Sequence, residues 1–171
     1  MNALALAVLI DSARFQCRLR ELSFFEPSGA SERATRIAAS IERLPAGRYL
    51  IGLGPNCSQT IRIGKHPVRI GRHASPLEES HDEVVDYTVD DASLHGPREV
   101  SRLHCTIDSQ GCSFNEVAVI DEGSSTGIWL QPSRERIESH AKNVFEHGTM
   151  FSLGPSGTNL FIFVCLLGCH L

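Results

Sequence analysis

The stretch Asp121-Glu-Gly-Ser-Ser-Thr-Gly127 decides between two folds for this chain. Its last five residues fit the pattern G-x-S-x-G, the nucleophile elbow of serine hydrolases, which requires a strand before the serine and a helix after it. The run before the stretch, VAVI at 117–120, is typical of a strand. The residues after it, Ile128-Trp-Leu130, are β-branched, aromatic and apolar, so the sequence predicts a second strand and a hairpin. This pattern argues against Ser125 as a nucleophile and favours an all-β fold.

Short β-branched or aromatic runs continue on both sides of this stretch, and Gly, Pro, Asn or Ser interrupts most of the gaps between them. The predicted strands lie at 48–53, 60–63, 68–70, 84–89, 103–107, 117–120, 128–130, 150–153 and 160–167. Many short strands at this spacing are typical of a β-sandwich or barrel. We therefore expect one all-β domain over residues 48–171. Its core is expected to contain eight apolar residues of these runs: Leu50, Ile61, Ile70, Val119, Trp129, Leu153, Phe161 and Phe163.

Residues 1–47 differ from the rest of the chain and are expected to form a short appendage. Apolar residues at 37, 38, 41 and 44 follow helical spacing, with Ser31 as a plausible N-cap, and they predict a helix over 31–44. A helix of this length is not stable alone, so it is expected to pack on the sandwich or on a partner. The alternation of polar and apolar residues around Cys17 indicates a short strand upstream.

The composition of the 171 residues argues against several classes of function. Hydrophobic residues make up 42% and charged residues 21%, which is typical of a globular chain. A formal net charge of −4 argues against general affinity for nucleic acid or anionic membranes. No segment is long and apolar enough to span a bilayer, and the apolar start MNALALAVLI lacks the basic region of a secretory signal. We therefore expect a cytoplasmic protein with six scattered, reduced cysteines and no metal or cofactor, since no group of Cys and His has zinc spacing.

The interval from residue 74 to residue 99 is strongly acidic. It holds eight of the twenty carboxylates of the chain and one arginine, Arg98. The carboxylates are Glu78, Glu79, Asp82, Glu83, Asp86, Asp90, Asp91 and Glu99. Such an interval is either a solvated loop or a negative rim that selects a partner with basic residues.

Four short motifs occur in order along the chain, each beside a predicted strand: Ile70-Gly-Arg72, Val100-Ser-Arg-Leu-His-Cys-Thr-Ile107, Asp121-Glu-Gly-Ser-Ser-Thr-Gly127 and His147-Gly-Thr-Met-Phe-Ser-Leu-Gly154. Together they resemble the pattern of the forkhead-associated (FHA) domain family, which runs G-R, S-R-x-H, D-x-x-S-[ST]-N-G-T and a G-D-x-[IL]-x-[IL]-G-like strand. The resemblance extends over about residues 48–168. It implies a β-sandwich of about eleven strands that binds phosphothreonine peptides through the loops at one end. It also implies a non-enzymatic adaptor in signalling or assembly.

The resemblance assigns roles to the loop residues that match these motifs. Arg72 and Ser101 would contact the phosphate, and Arg102 would add a second cation. Ser125 and Thr126 would hold the backbone of the ligand. These residue types suit the task, because a phosphothreonine carries nearly two negative charges and three acceptor oxygens, which guanidinium and hydroxyl donors on loops bind well.

Three further residues would support the site without contacting the ligand. Gly71 would allow a close approach of the backbone beside Arg72. His104 would tie the loops together through its ring, and Gly127 would complete the loop that carries Ser125.

The sequence departs from the family pattern at three places. Thr126 stands where the family has asparagine, Ile128 stands where it has threonine, and the link from Arg72 to Ser101, which includes Arg98, is longer than usual. A threonine hydroxyl makes fewer hydrogen bonds to a peptide unit than an asparagine amide, and one such bond is worth on the order of 1 kcal/mol. An alternative function is therefore a phosphate-independent scaffold module of a bacterial protein assembly such as a secretion system.

The appendage suggests one further partner, a second copy of the chain. Thr35 lies between Arg33 and Arg36 and is the only threonine before residue 48. If a kinase phosphorylates Thr35, this segment could dock on Arg72 and Ser101 of another copy, and the protein would self-associate.

Overall fold

A computed structural model describes residues 41, 43–54, 60–72, 85–89 and 98–167 of the chain. These residues form an all-β structure, as predicted. The predicted helix over 31–44 lies outside the described residues except at its C-terminal end, where Ile41 and Leu44 are placed. The expected strand around Cys17 and the segment around Thr35 lie outside them altogether.

Ten strands run through the described residues, against about eleven implied by the family resemblance. They are β1 Gly47–Gly52, β2 Thr60–Ile63, β3 Val68–Arg72, β4 Tyr87–Val89, β5 Cys105–Asp108, β6 Glu116–Asp121, β7 Ile128–Gln131, β8 Asn143–Glu146, β9 Met150–Leu153 and β10 Leu160–Leu166. Nine of them confirm predicted runs to within a few residues. The exception is β8, an edge strand in which only Phe145 is buried, so its sequence carries little apolar signal.

The strands form two sheets of five strands each. Sheet A has the order β2-β1-β10-β9-β7, and sheet B has the order β4-β3-β5-β6-β8. Neighbouring strands are antiparallel except for β3 and β4, which are parallel.

The hairpin predicted at 121–127 is wrong. The strand before this stretch, β6, belongs to sheet B, and the strand after it, β7, belongs to sheet A. Each strand finds its hydrogen-bonding neighbours in its own sheet, β6 between β5 and β8, and β7 beside β9. The stretch therefore crosses from one sheet to the other, which brings it to one end of the sandwich.

The main core contains side chains from both sheets. All of the predicted core residues except Trp129 are buried there. The rings of Phe145, Phe151 and Phe161 stack in its centre, with neighbouring centroids 5.2 and 5.8 Å apart. Trp129 is only half-buried, because its indole N–H donates to the carbonyl of Thr126 over 2.8 Å and holds the ring beside the 121–127 loop.

Sheet A also buries apolar side chains away from this core. They alternate with core residues along β1 and β10 and form a second cluster: Tyr49, Ile51, Leu53, Met150, Leu160, Ile162, Val164 and Leu166. Ile41 belongs to the same cluster, and Leu44 packs against it. The end of the predicted helix therefore packs on the outer face of sheet A.

Two expectations from the composition can be compared with the described residues. Cys105 and Cys165 are buried free thiols, as predicted, whereas Cys112 is free but only half-buried in the connection from β5 to β6. No helix in the part of the chain that the structure describes is long and apolar enough to cross a membrane.

Candidate functional site

Arg72 is the last residue of β3, at the end of the sandwich where the motif loops meet. Its backbone N–H donates to the carbonyl of Ser101 over 3.0 Å. A Cβ atom at Gly71 would overlap the carbonyl group of Arg102, so only glycine lets this loop approach β3 so closely. Arg72 and Ser101 are thereby held side by side on two neighbouring segments.

His104 is fully buried below these residues and joins two loops. Its Nδ1 accepts the backbone N–H of Ser101 over 3.1 Å, and its Nε2 lies 3.2 Å from the carbonyl oxygen of Gly127. These two contacts fit the neutral tautomer that carries its hydrogen on Nε2. The ring therefore links the loop before β5 to the loop after β6.

The 121–127 loop is shaped by its own hydrogen bonds. Asp121 Oδ1 accepts the N–H of Ser124 over 2.7 Å, and Ser124 Oγ accepts the N–H of Gly127 over 3.0 Å. Gly123 and Gly127 have φ values of 76° and 80°, in the left-handed region that favours glycine. The loop thus has a fixed shape, and it presents Ser125 as an exposed residue near its tip.

Two serine hydroxyls meet where the loops face each other. The backbone N–H of Ser125 donates to Ser101 Oγ over 3.1 Å, and the two Oγ atoms lie 3.3 Å apart. With Ser101 Oγ accepting from a backbone N–H, the hydroxyl hydrogens of the pair remain to be donated to each other or to an outside acceptor. Two converging hydroxyl donors suit an oxyanion.

The side chain of Thr126 is engaged elsewhere. Its hydroxyl donates to the carbonyl of Glu99 over 2.5 Å, and it does not line the cleft that holds the other predicted ligand-binding residues. The carboxylate of Glu99 in turn accepts hydrogen bonds from the N–H and the hydroxyl of Ser156. Thr126 therefore ties the loop before β5 in place, a contact that the motif alone did not suggest.

An open cleft of about 310 Å³ lies where these loops converge. Three arginines line it: Arg72, Arg98 and Arg102. The two serines described above, Ser101 and Ser125, lie between them, and the remaining walls are the apolar Val100 and Leu103. Four of the five residues predicted to contact the ligand are thus brought together, and Arg98, which sequence reasoning noted only as part of the long link, joins them.

The acidic interval is only partly described. Among its eight carboxylates, Asp86 and Glu99 lie within the described residues. Asp86 Oδ2 accepts the backbone N–H of Arg69 over 2.7 Å, and Glu99 is held by Ser156. Neither carboxylate lines the cleft, so no described acidic side chain offsets its three arginines.

A metal-dependent function has no support in the described part of the chain. No group of three or more His, Cys, Asp or Glu side chains in those ranges could hold a metal ion. The buried thiols are also unsuited to ligation, since burial, together with the carboxylates of Asp121 and Glu122, raises the pKa of Cys105 well above its ordinary value.

A protein-family model for the FHA domain matches residues 68–154 of this chain. The match includes three of the cleft-lining arginines and both serines, and it extends over half of the chain. No curated protein matches the chain.

Several solved structures are similar to this one. The FHA domain of the CT664 protein from Chlamydia trachomatis has a TM-score of 0.51 and 21% identity, and the match covers 70% of this chain and 98% of that one. The FHA domain of a hypothetical protein from Arabidopsis thaliana has a TM-score of 0.52 and 19% identity, with 74% and 92% covered. Full-length yeast Pml1p has a TM-score of 0.51 and 18% identity, with 68% and 79% covered. At these identities the likeness shows the fold alone.

Proposed function

The chain belongs to the FHA domain family, and from this membership and the geometry of the cleft we propose that it is a recognition module for phosphothreonine peptides. One observation carries the proposal. The guanidinium-bearing Arg72 and the hydroxyls of Ser101 and Ser125 meet in one open cleft, on loops tied together by the buried ring of His104. In this role the protein would act as an adaptor between a phosphorylated protein and its other partners.

The chemistry of the cleft fits a phosphoryl group. A phosphothreonine carries about 1.5 to 2 negative charges at neutral pH and offers three acceptor oxygens. Arg72 supplies a planar, permanently charged donor at the end of a rigid strand. Ser101 and Ser125 supply neutral donors that are already oriented by their mutual contact, so little ordering is needed on binding.

Binding without catalysis is favoured by the surroundings of the serines. The hydroxyl of Ser125 faces the hydroxyl of Ser101 and not a histidine. The ring nitrogens of His104 are used by a backbone N–H and a backbone carbonyl. A nucleophilic serine needs a base within hydrogen-bonding reach of its hydroxyl, and these contacts do not provide one.

The test is fluorescence-polarisation binding to a degenerate phosphothreonine peptide library. We expect micromolar affinity, about −8 kcal/mol, that disappears with the unphosphorylated library and with Arg72→Ala. Arg62→Ala is the matched control, because Arg62 is exposed on β2 and does not line the cleft. Equal binding of both libraries by a folded protein would contradict the proposal.

A phosphate-independent docking module is the second candidate, and the contact of Thr126 favours it. In the family pattern this position is an asparagine that grips the ligand, but here the hydroxyl is spent on the carbonyl of Glu99. If no phosphopeptide binds, the same loops would meet an unmodified protein surface. Capture that survives phosphatase treatment and Arg72→Ala would favour this candidate.

Self-association through Thr35 can be tested in the same binding assay. A peptide of residues 31–39 phosphorylated on Thr35 would bind the cleft, whereas its unphosphorylated form would not. A Thr35→Ala chain that still self-associates after kinase treatment would rule this partner out.

A further inference from the structure

We propose that Arg98 makes the cleft a site for two anions, so that its preferred ligand carries a second anionic side chain close to the phosphothreonine. This inference rests on the proposed function, and it names the class of peptide that the cleft would select. The second anion is a carboxylate or another phosphoryl group, which share the chemistry that a guanidinium recognises.

The first argument is the balance of charge. Three guanidinium groups line the cleft, those of Arg72, Arg98 and Arg102, and no described carboxylate lines it. One phosphothreonine brings fewer than two negative charges on average. A ligand with only this group would leave positive charge in the cleft uncompensated, so a second anion nearby gains Coulomb energy on binding.

The second argument is space. The cleft has a volume of about 310 Å³, which is the room of about ten water molecules. A phosphoryl group occupies only a part of such a volume. Arg98 precedes Ser101 by three residues, and each residue spans at most about 3.6 Å, so its side chain lies within reach of a neighbouring residue of the same peptide.

The third argument is that the backbone beside Arg98 is fixed. The carbonyl of Glu99 accepts the hydroxyl of Thr126, and the carboxylate of Glu99 is bound by the N–H and hydroxyl of Ser156. The next residue, Val100, is buried in the core. Arg98 thus projects from an anchored segment, which lowers the ordering needed when its side chain engages a ligand.

The inference opposes the simplest expectation from the acidic interval. A rim of carboxylates would select basic residues beside the phosphothreonine. However, the two carboxylates of that interval within the described ranges, Asp86 and Glu99, are bound to Arg69 and Ser156 and do not line the cleft. The described part of the cleft therefore favours acidic flanks.

The test uses one host peptide with a single phosphothreonine and neutral flanks. A glutamate is placed in turn at each position from three residues before the phosphothreonine to three after it. Parallel series carry phosphoserine or lysine at the same positions. Each peptide is titrated against the full chain, Arg98→Gln and the control Arg62→Gln.

We expect one or two adjacent positions where glutamate tightens binding about three- to fivefold, the effect of one partly exposed ion pair. Phosphoserine at those positions is expected to tighten binding further. Both gains should vanish in Arg98→Gln and persist in Arg62→Gln, while the neutral host peptide binds all three proteins within about twofold.

The outcomes separate this inference from the proposed function. No gain from glutamate or phosphoserine, a gain that survives in Arg98→Gln, or a gain from lysine would each overturn the two-anion site. The proposed function would still stand in these cases, provided that the host peptide binds only when it is phosphorylated. If the host peptide binds equally without its phosphate, both are refuted.

Discussion

The two sheets of the sandwich share one core but differ on their outer faces. In sheet A, every residue of β9 and β10 is buried, and the outward-facing Ile162 and Val164 are 0% and 1% exposed. In sheet B, buried and accessible residues alternate along β3, β5 and β8, and the outward-facing Val144 is 59% exposed. Sheet A is therefore an internal layer, whereas sheet B is an ordinary sheet with one face in solvent.

This difference separates the part of the chain that recognises from the part that is peculiar to this protein. The strands β3, β5 and β6 of sheet B carry the cleft loops, and all three lie within the matched residues 68–154. The strands β1 and β10, which bury both of their faces, lie outside that range. Ile41 and Leu44 add to the outer face of these two strands. The shared family motifs thus describe the binding end, and the second apolar layer is an addition to it.

A matched pair of valines tests whether the outer faces differ as their burial indicates. Val164→Ala, on the outer face of sheet A, is expected to lower the free energy of unfolding by about 2–3 kcal/mol, from lost burial and the cavity it leaves. Val144→Ala, on the outer face of sheet B, is expected to change it by no more than about 0.5 kcal/mol. Urea unfolding of both variants would measure this. Equal changes for the two valines would show that the outer layer of sheet A contributes nothing to stability.

Most of the strands could be predicted, because each is a short β-branched or aromatic run between turn residues. The two-sided burial of β10 was also visible as a continuous apolar run, LFIFVCL, without the alternation of a one-sided strand. The edge strand β8 was missed, because its exposed residues are polar or only singly apolar. The hairpin at 121–127 was wrong, because local sequence does not say whether two successive strands pair or join different sheets.

The site was predicted as far as its motifs reach. Arg72, Ser101 and Ser125 were identified, because their residue types and order match the family pattern. The contact of Thr126 with Glu99 could not be predicted, since the two are 27 residues apart and meet only once both loops are folded. The presence of Arg98 in the cleft also depends on that loop geometry, and a count of charges in the acidic interval pointed the other way.

The link between the two sheets is tested next, through the ring of His104. His104→Gln is expected to cost about 2 kcal/mol of stability, because at least one buried hydrogen-bonding partner in Ser101 or Gly127 loses its contact. Phosphothreonine affinity should fall with it, since Ser101 is no longer held against the 121–127 loop. Thermal unfolding and peptide titration would measure the two effects. His66→Gln is the control, because His66 is exposed in the turn before β3; a similar loss there would deny a special role to the ring.

A smaller effect is expected where the 121–127 loop is tied to the loop before β5. Thr126→Val keeps the shape of the side chain but removes the hydroxyl that donates to the carbonyl of Glu99, and we expect a loss of about 1 kcal/mol. Thr126→Ser keeps the hydroxyl and should behave nearly as the original chain. Urea unfolding distinguishes the two variants. If valine and serine are equivalent, the hydroxyl does not tie the loops, and it is available to a ligand.

The smallest effect concerns the interior, where the two sheets are alike. Burial raises the pKa of the Cys165 thiol in β10 to about 12, with a smaller opposing effect of Arg48, and burial raises the pKa of Cys105 in β5 as well. In the unfolded chain such thiols ionise near about pH 8.5. Above that pH the unfolded state therefore binds fewer protons than the folded state, and the stability contributed by each buried thiol decreases as the pH rises toward its folded pKa. Urea unfolding at pH 8, 9 and 10 should thus show a shallower decline for Cys165→Ala and for Cys105→Ala than for the original chain, each by no more than the effect of one proton. A flatter decline for only one of them would mean that the interior, like the outer faces, differs between the sheets.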